Sequence, residues 1–418
     1  MLKRRSRWDL KAISADLLVD AEGIRSRPLV LVQNERIVAV GSKGQIEVPK
    51  NAELIDAEGL VLMPGLVDCH VHFQGSAEAG LGFSRETFGT RVIRAAVVEA
   101  RQLLDAGFTS VMDTGGQIAV HVRNAIDSGI LPGPRILAAG RHISQTAGHG
   151  DASYMPLEWV KEGQPMGWYM EGRIADGVDE CIRAVRENLR MNVDFIKICT
   201  SGGGGQRPDL PEYTLEELKA MVHVAHSADR RVMVHCYNPE GITRSVLAGV
   251  DVVAHANLAD EASIKLMKEH GVVVVPTMAV YYRMMQRRKE QPRPAPSERP
   301  SGTRMSDTLF TDVKRLYDGG LTLAMGTDTM STADFGKNAL ELELYVNEVG
   351  LSPLKAIEIA TLNAAKAMGK KDLGTINTGK IADLIALKEN PLDNIKSLQN
   401  PKNVKLVMKA GVIYKNLQ

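Results

Sequence analysis

Apolar and polar positions alternate between two textures along this chain. Short runs rich in valine, isoleucine and other β-formers end on glycine or polar residues, and longer stretches between them repeat apolar residues every three or four positions. Eight such runs stand out: Leu60 to Phe73, Phe108 to Thr114, Arg135 to Ser144, Val193 to Thr200, Arg231 to Tyr237, Val250 to Asn257, Val272 to Met278 and Leu321 to Asp328. Helical spacing fills gaps between them, as in Thr87 to Ala106, Val178 to Met191, Thr214 to Ala228 and Glu261 to His270. Thr214 and Glu217 have the spacing of a capping box. Strands alternating with helices imply parallel pairing through right-handed crossovers. Eight such units close into an α/β fold of the (β/α)8 TIM-like barrel type, with an open doubly wound sheet as the alternative.

The ends of the chain read differently. Short strands with turns are predicted at Leu29 to Gln33, Arg36 to Val40 and Glu53 to Asp56, and again at Ala382 to Leu387, Val404 to Met408 and Val412 to Tyr414. The expected organisation is a barrel over 60–372 beside a small β-sandwich domain built from both chain termini, 1–59 and 373–418. A basic, proline-rich stretch from Arg283 to Arg304 reads as an excursion after the seventh strand, either a solvated loop or a lid over 279–305.

Composition narrows the partners more than the chemistry. With 418 residues, 44% hydrophobic, 24% charged and a formal net charge of +1, the chain has ample core. It has no bulk charge to attract nucleic acid or an anionic membrane. The basic start Met1 to Arg7 is followed by Trp8-Asp-Leu-Lys rather than an apolar stretch, and no run approaches membrane-spanning length, so a cytoplasmic protein is expected. Cys69, Cys181, Cys199 and Cys236 lack paired spacing and read as reduced and buried.

In a parallel barrel the reactive groups sit at the carboxyl ends of the strands. His70 and His72 lie two apart at the end of the first run, so they share a face about 7 Å apart, and two imidazoles there can converge on one ion. Lys197 ends the fourth run, His235 the fifth, His255 the sixth and Asp328 the eighth. Singly, each histidine could be a hydrogen-bonded core residue and Asp328 a helix cap. Lys197 is harder to dismiss. Flanked by Phe195, Ile196 and Ile198, its ammonium needs a partner, a depressed pKa or chemical modification. Six such residues on five strands point to a buried polynuclear metal site.

With these residues in place, the chain resembles the amidohydrolase superfamily, in its imidazolonepropionase-like and prolidase-like branch. The resemblance rests on Met63-Pro-Gly-Leu-Val-Asp-Cys-His-Val-His72, Ser144-Gln-Thr-Ala-Gly-His-Gly-Asp151, Phe195-Ile-Lys-Ile198, Val234-His-Cys-Tyr237, Val253-Ala-His-Ala256, Pro276-Thr277, Gly326-Thr-Asp328, Ala360-Thr-Leu-Asn-Ala-Ala365 and Gly379-Lys-Ile-Ala-Asp-Leu384. It implies a CO2-derived carbamate on Lys197 bridging two divalent metal ions, Zn2+ by default with Mn2+, Co2+ or Fe2+ as alternatives. By the same resemblance His70, His72 and Asp328 hold one ion and His235 and His255 the other, about 3.5 to 4 Å apart around a shared hydroxide. Asp328 is expected to move the proton, and His149 and Tyr237 to bind substrate and the developing oxyanion.

Arg207, just beyond the glycine run Ser201 to Gln206, reads as either a contact for a substrate carboxylate or an exposed arginine. That run is no P-loop, because no Gly-Lys-Ser/Thr follows it. The resemblance implies hydrolysis of an amide-like C–N bond in a small molecule, such as an Xaa-Pro dipeptide or an N-acyl amino acid. Carbamates, ureas, aryl amides, lactones and organophosphate esters stay open as substrates. A cyclic-imidazolone hydrolase or deaminase is disfavoured by Lys197 and by asparagine at position 238, and a non-catalytic scaffold by the filled ligand positions. A homo-oligomer is expected.

Overall fold

The structure, a computed structural model, describes residues 10–76, 86–152, 155–163, 172–203, 207–290 and 300–416. Five strands open the chain: β1 (Leu10–Asp20), β2 (Gly23–Ser26), β3 (Pro28–Gln33), β4 (Arg36–Ser42) and β5 (Glu53–Pro64). The hub β1 pairs antiparallel with β2 and β3 and parallel with β5. No strand was expected at Leu10–Asp20. Most of β1 is buried, with Ile13 and Leu18 packed into one apolar cluster and Ala12 into another, so the alternation that marks a one-sided strand is blurred.

The run Leu60 to Phe73 divides between two sheets. Its first residues finish β5, and β6 (Leu66–Val71) begins the barrel. Gly65 makes the junction possible, because a Cβ there would collide with the side chain of Thr109.

Next come β7 (Phe108–Asp113), β8 (Arg135–Ala138), β9 (His142–Ser144), β10 (Gly172–Ile174), β11 (Phe195–Cys199), β12 (Arg231–Cys236), β13 (Val252–His255), β14 (Val273–Val275) and β15 (Thr322–Leu323). They form two parallel arcs, β6-β7-β8 and β10-β9-β11-β12-β13-β14-β15. Backbone bonds join the arcs at both seams: Asp194 N–H donates to the Ala138 carbonyl and Cys69 N–H to the Met325 carbonyl, both at 2.9 Å. The result is a TIM-barrel-like ring in which each of the eight expected runs supplies a strand. The third is broken at Gly140, which takes φ 68°.

The last strands, β16 (Leu384–Leu387), β17 (Val404–Lys409) and β18 (Val412–Asn416), return to the first sheet. Leu384 pairs with Pro64 and Leu387 with Val61, so both termini meet in one eight-stranded sheet.

The excursion expected from Arg283 to Arg304 is helical at both ends. Helices span Met278–Glu290 and Pro300–Asp318, and 291–299 lie outside the described residues. Of its basic residues, Arg283 and Arg287 are both directed at Asp334. The Thr214–Glu217 capping box is present, and all four cysteines are free and buried. Among the described residues no helix is long and apolar enough to cross a membrane.

Candidate metal centre

Five strands deliver the expected side chains to one end of the barrel. His70 sits in β6 with His72 just beyond it, Lys197 in β11, His235 in β12, His255 at the end of β13, and Asp328 follows β15. The ligand atoms of His70, His72 and Asp328 lie within 4.8 Å of one another. Asp328 Oδ1 is 3.2 Å from His72 Nε2 and 3.5 Å from His70 Nε2. The rings of His235 and His255 are 4.5 Å apart, and His255 is 5.2 Å from His70, so the two sets are continuous.

Electrostatics place the Lys197 amine among them. Burial draws its pKa down to about 8, and its charge adds to the lowering at His70, His235 and His255, whereas at His72 burial is outweighed by the hydrogen bond to Asp328 and the Asp328 charge, which raise it. Burial also holds His70 and His235 well below the usual histidine range and His255 down to about 3, so their lone pairs are free. For Asp328, burial opposes ionisation, but the surrounding imidazoles, including a hydrogen bond from His72, outweigh it and hold the carboxyl far below its ordinary value.

Backbone conformation at the site is unusual. His255 (φ 73°), Ala256 (φ 58°), Thr277 (φ 57°) and Asp328 (φ 55°) are all left-handed, at the ends of three neighbouring strands. Each such residue costs of order 1–3 kcal/mol and persists only where its surroundings dictate it. Here the dictating contacts are visible. Asp328 N–H donates to the His70 carbonyl at 2.7 Å, and Thr277 Oγ1 contacts His255 Nδ1 at 2.7 Å. That contact leaves His255 Nε2 buried without a hydrogen-bond partner, as is His70 Nδ1. Orphaned buried imidazole nitrogens beside an ionised carboxylate are what a divalent cation requires, so this donor set fits one.

Beneath the site, buried Asp68 ties strand one to strand eight. It accepts from His70 N–H (3.0 Å), Thr327 N–H (3.1 Å), Thr327 Oγ1–H (2.7 Å) and Asn338 Nδ2–H (2.8 Å). Asp68→Ala is therefore expected to lower stability by roughly 2–4 kcal/mol, read as a lower urea midpoint. A midpoint like the unaltered chain's would mean that these bonds contribute nothing net.

His149 and Tyr237 flank the second pair. The His149 ring stacks on His235 at 4.0 Å, and Tyr237 stacks on His255 at 4.7 Å and stands at 86° to His235 with ring centres 4.8 Å apart. Glu212 accepts the His149 N–H at 2.7 Å, and burial raises its carboxyl to about 7. Of the glycine run, 204–206 lie outside the described residues, and Gly203 lets His149 approach where a Cβ would collide with its ring. Arg207 is exposed, and its guanidinium is engaged by Asp209 at 2.6 and 2.9 Å.

Three residues escaped the sequence reading. Asp113 ends β7, accepts from Phe73 N–H (2.6 Å) and Gly115 N–H (3.1 Å), and is pushed by burial to about 7, against the pull of His72. The strand-end rule that singled out Asp328 applies equally to it. His142 opens β9 with its ring fitted against Gly115, Gly150 and Gly172, where a Cβ would approach it to 2.7–2.8 Å. No periodicity signals that pocket. Tyr281 lies on the Met278–Glu290 helix with its hydroxyl bonded to that of Tyr237.

Comparison with known proteins bears on this arrangement. The profile described as the Amidohydrolase family matches residues 61–414. Ochratoxinase of Aspergillus niger is 35% identical over 432 residues, covering 96% of this chain and 86% of that protein. Its crystal structure gives a TM-score of 0.89 at 32% identity, covering 98% of this chain and 96% of its own. An Xaa-Pro dipeptidase with methionine bound in its active site gives 0.85 at 31% identity, covering 98% and 100%. A prolidase complexed with N-methylphosphonate-L-proline gives 0.86 at 32%, covering 97% and 100%.

Proposed function

Since the chain belongs to the amidohydrolase family and is a hydrolase acting on C–N bonds, we propose that it cleaves the amide bond of a dipeptide such as Xaa-Pro or of an N-acyl amino acid. One observation carries the reading: His70, His72, Lys197, His235, His255 and Asp328 converge from five strands, four of the six with their pKa values pulled down by burial. The ochratoxinase, dipeptidase and prolidase likenesses support the substrate class.

His70, His72 and Asp328 would hold one divalent cation and His235 and His255 a second, with Lys197 between them as a carbamate. Burial supports that modification, because a pKa near 8 leaves part of the amine neutral at physiological pH and able to bond the carbon of CO2, releasing a proton to solvent. Bound Zn2+, or Mn2+, Co2+ or Fe2+, supplies Lewis acidity that polarises a carbonyl and lowers the pKa of water toward neutrality.

Asp328, held ionised, accepts the proton of the attacking water and returns it to the leaving nitrogen. His149 and Tyr237 donate to the oxygen that gains charge. Arg207 serves a substrate carboxylate only by giving up Asp209. The same reading includes a barrel over 60–372, a sandwich from 1–59 and 373–418, a cytoplasmic setting and a homo-oligomer.

A panel of dipeptides, N-acyl amino acids, aryl amides, carbamates and lactones tests it, assayed with Zn2+ or Mn2+ and bicarbonate. Cleavage of a dipeptide or N-acyl amino acid, lost on chelation, is expected. Turnover confined to carbamates or lactones, or absent throughout, would contradict it.

A further inference from the structure

Tyr237 is held rigidly. Its ring lies against His255 and His235, it is 2% exposed, and its N–H donates to Ser201 Oγ at 3.0 Å. Its hydroxyl bonds the hydroxyl of Tyr281, whose ring stands at 77° to it, 6.4 Å away. Tyr281 is fixed just as firmly from another direction. The helix that carries it begins on Glu341, whose carboxylate accepts the N–H groups of Met278 (2.9 Å) and Ala279 (2.6 Å). Two residues beyond Tyr281, Arg283 donates to Thr329 Oγ1 and the Lys337 carbonyl, each at 2.9 Å. The two phenols therefore meet from strand five and from the helix after strand seven, and the second is braced against the residue that follows Asp328.

We infer that Tyr237 and Tyr281 act as one donor unit on the ligand, with Tyr281 the positioning residue that leaves a single phenolic proton for a substrate oxygen. A phenol carries one proton at neutral pH, so the pair brings two. One proton is used between the two oxygens, whichever hydroxyl donates. The other has no place in that bond and is available to the site. A lone phenol would divide its proton between two in-plane orientations, whereas the pair presents it in one. Donors already aimed where charge develops need no reorganisation during the reaction. A Tyr–Tyr contact that only packs would have none of these consequences.

This inference rests on the oxyanion role proposed for Tyr237, and its test must not depend on finding a substrate. Inorganic phosphate, a tetrahedral oxyanion, serves as the probe, with binding measured by calorimetry on metal-loaded protein. Tyr237→Phe and Tyr281→Phe are each expected to weaken phosphate binding by about tenfold, and the double variant no further. On any amide cleaved by the unaltered chain, Tyr281→Phe should lower kcat by about 10- to 100-fold and leave KM within about twofold. Three outcomes would overturn the inference: phosphate binding by Tyr281→Phe equal to that of the unaltered chain, losses that multiply in the double variant, or no phosphate binding by the unaltered chain. Failure to cleave any amide would sink the functional reading instead, while the phosphate cycle still decides the pair.

Discussion

Replacing Lys197 with alanine is expected to leave at most one metal ion per chain and to reduce turnover by about a thousandfold or more. Lys197 is 3% exposed, flanked by Phe195, Ile196 and Ile198, and makes no ion pair among the described residues. An ammonium buried that way is a burden on the fold unless it has another purpose. Removing it should therefore leave the barrel folded, with thermal unfolding near that of the unaltered chain, while the site loses the group between its two sets of ligands. Fold and function then separate in one variant. Unchanged metal content and rate would remove Lys197 from the centre, whereas a collapse of the fold would identify it as a structural residue.

Asp328→Asn should act on a different step. The amide has the shape of the carboxylate and can still contact His72, so at least one metal and an unaltered KM are expected. It cannot accept a proton and carry it to a leaving nitrogen. The expected loss is therefore in kcat, by about a hundredfold or more, as for an interaction made only in the transition state. The left-handed backbone at Asp328 (φ 55°) suits asparagine, which tolerates that region, so strain does not confound the result. A rate near that of the unaltered chain would exclude proton transfer by this residue.

Much of this site was legible because strand ends in a parallel barrel are marked twice, by β-rich runs and by the polar residue that interrupts each one. His70, Lys197, His235, His255 and Asp328 all carry both marks. Asp113, at the end of β7, carries them too. His142 was hidden. It lies inside a run read as one strand, and only the break at Gly140 turns its ring into the pocket of three glycines.

Elsewhere, burial on both faces disguised β1. The density of arginine and proline around 283–304 masked two helices, one of which brings Tyr281 to the site. Pairings set by distant segments, such as Tyr281 with Tyr237 or Glu212 with His149, leave no local trace in a sequence.

The central claim is that six side chains hold a pair of ions joined through residue 197. Crystals of the metal-loaded protein, measured on both sides of the metal absorption edge, test it directly. The expected map has two anomalous peaks, one within reach of His70, His72 and Asp328 and the other of His235 and His255, with density for a carboxylated Lys197 between them. A single peak, or peaks away from these residues beside an unmodified amine, would contradict it.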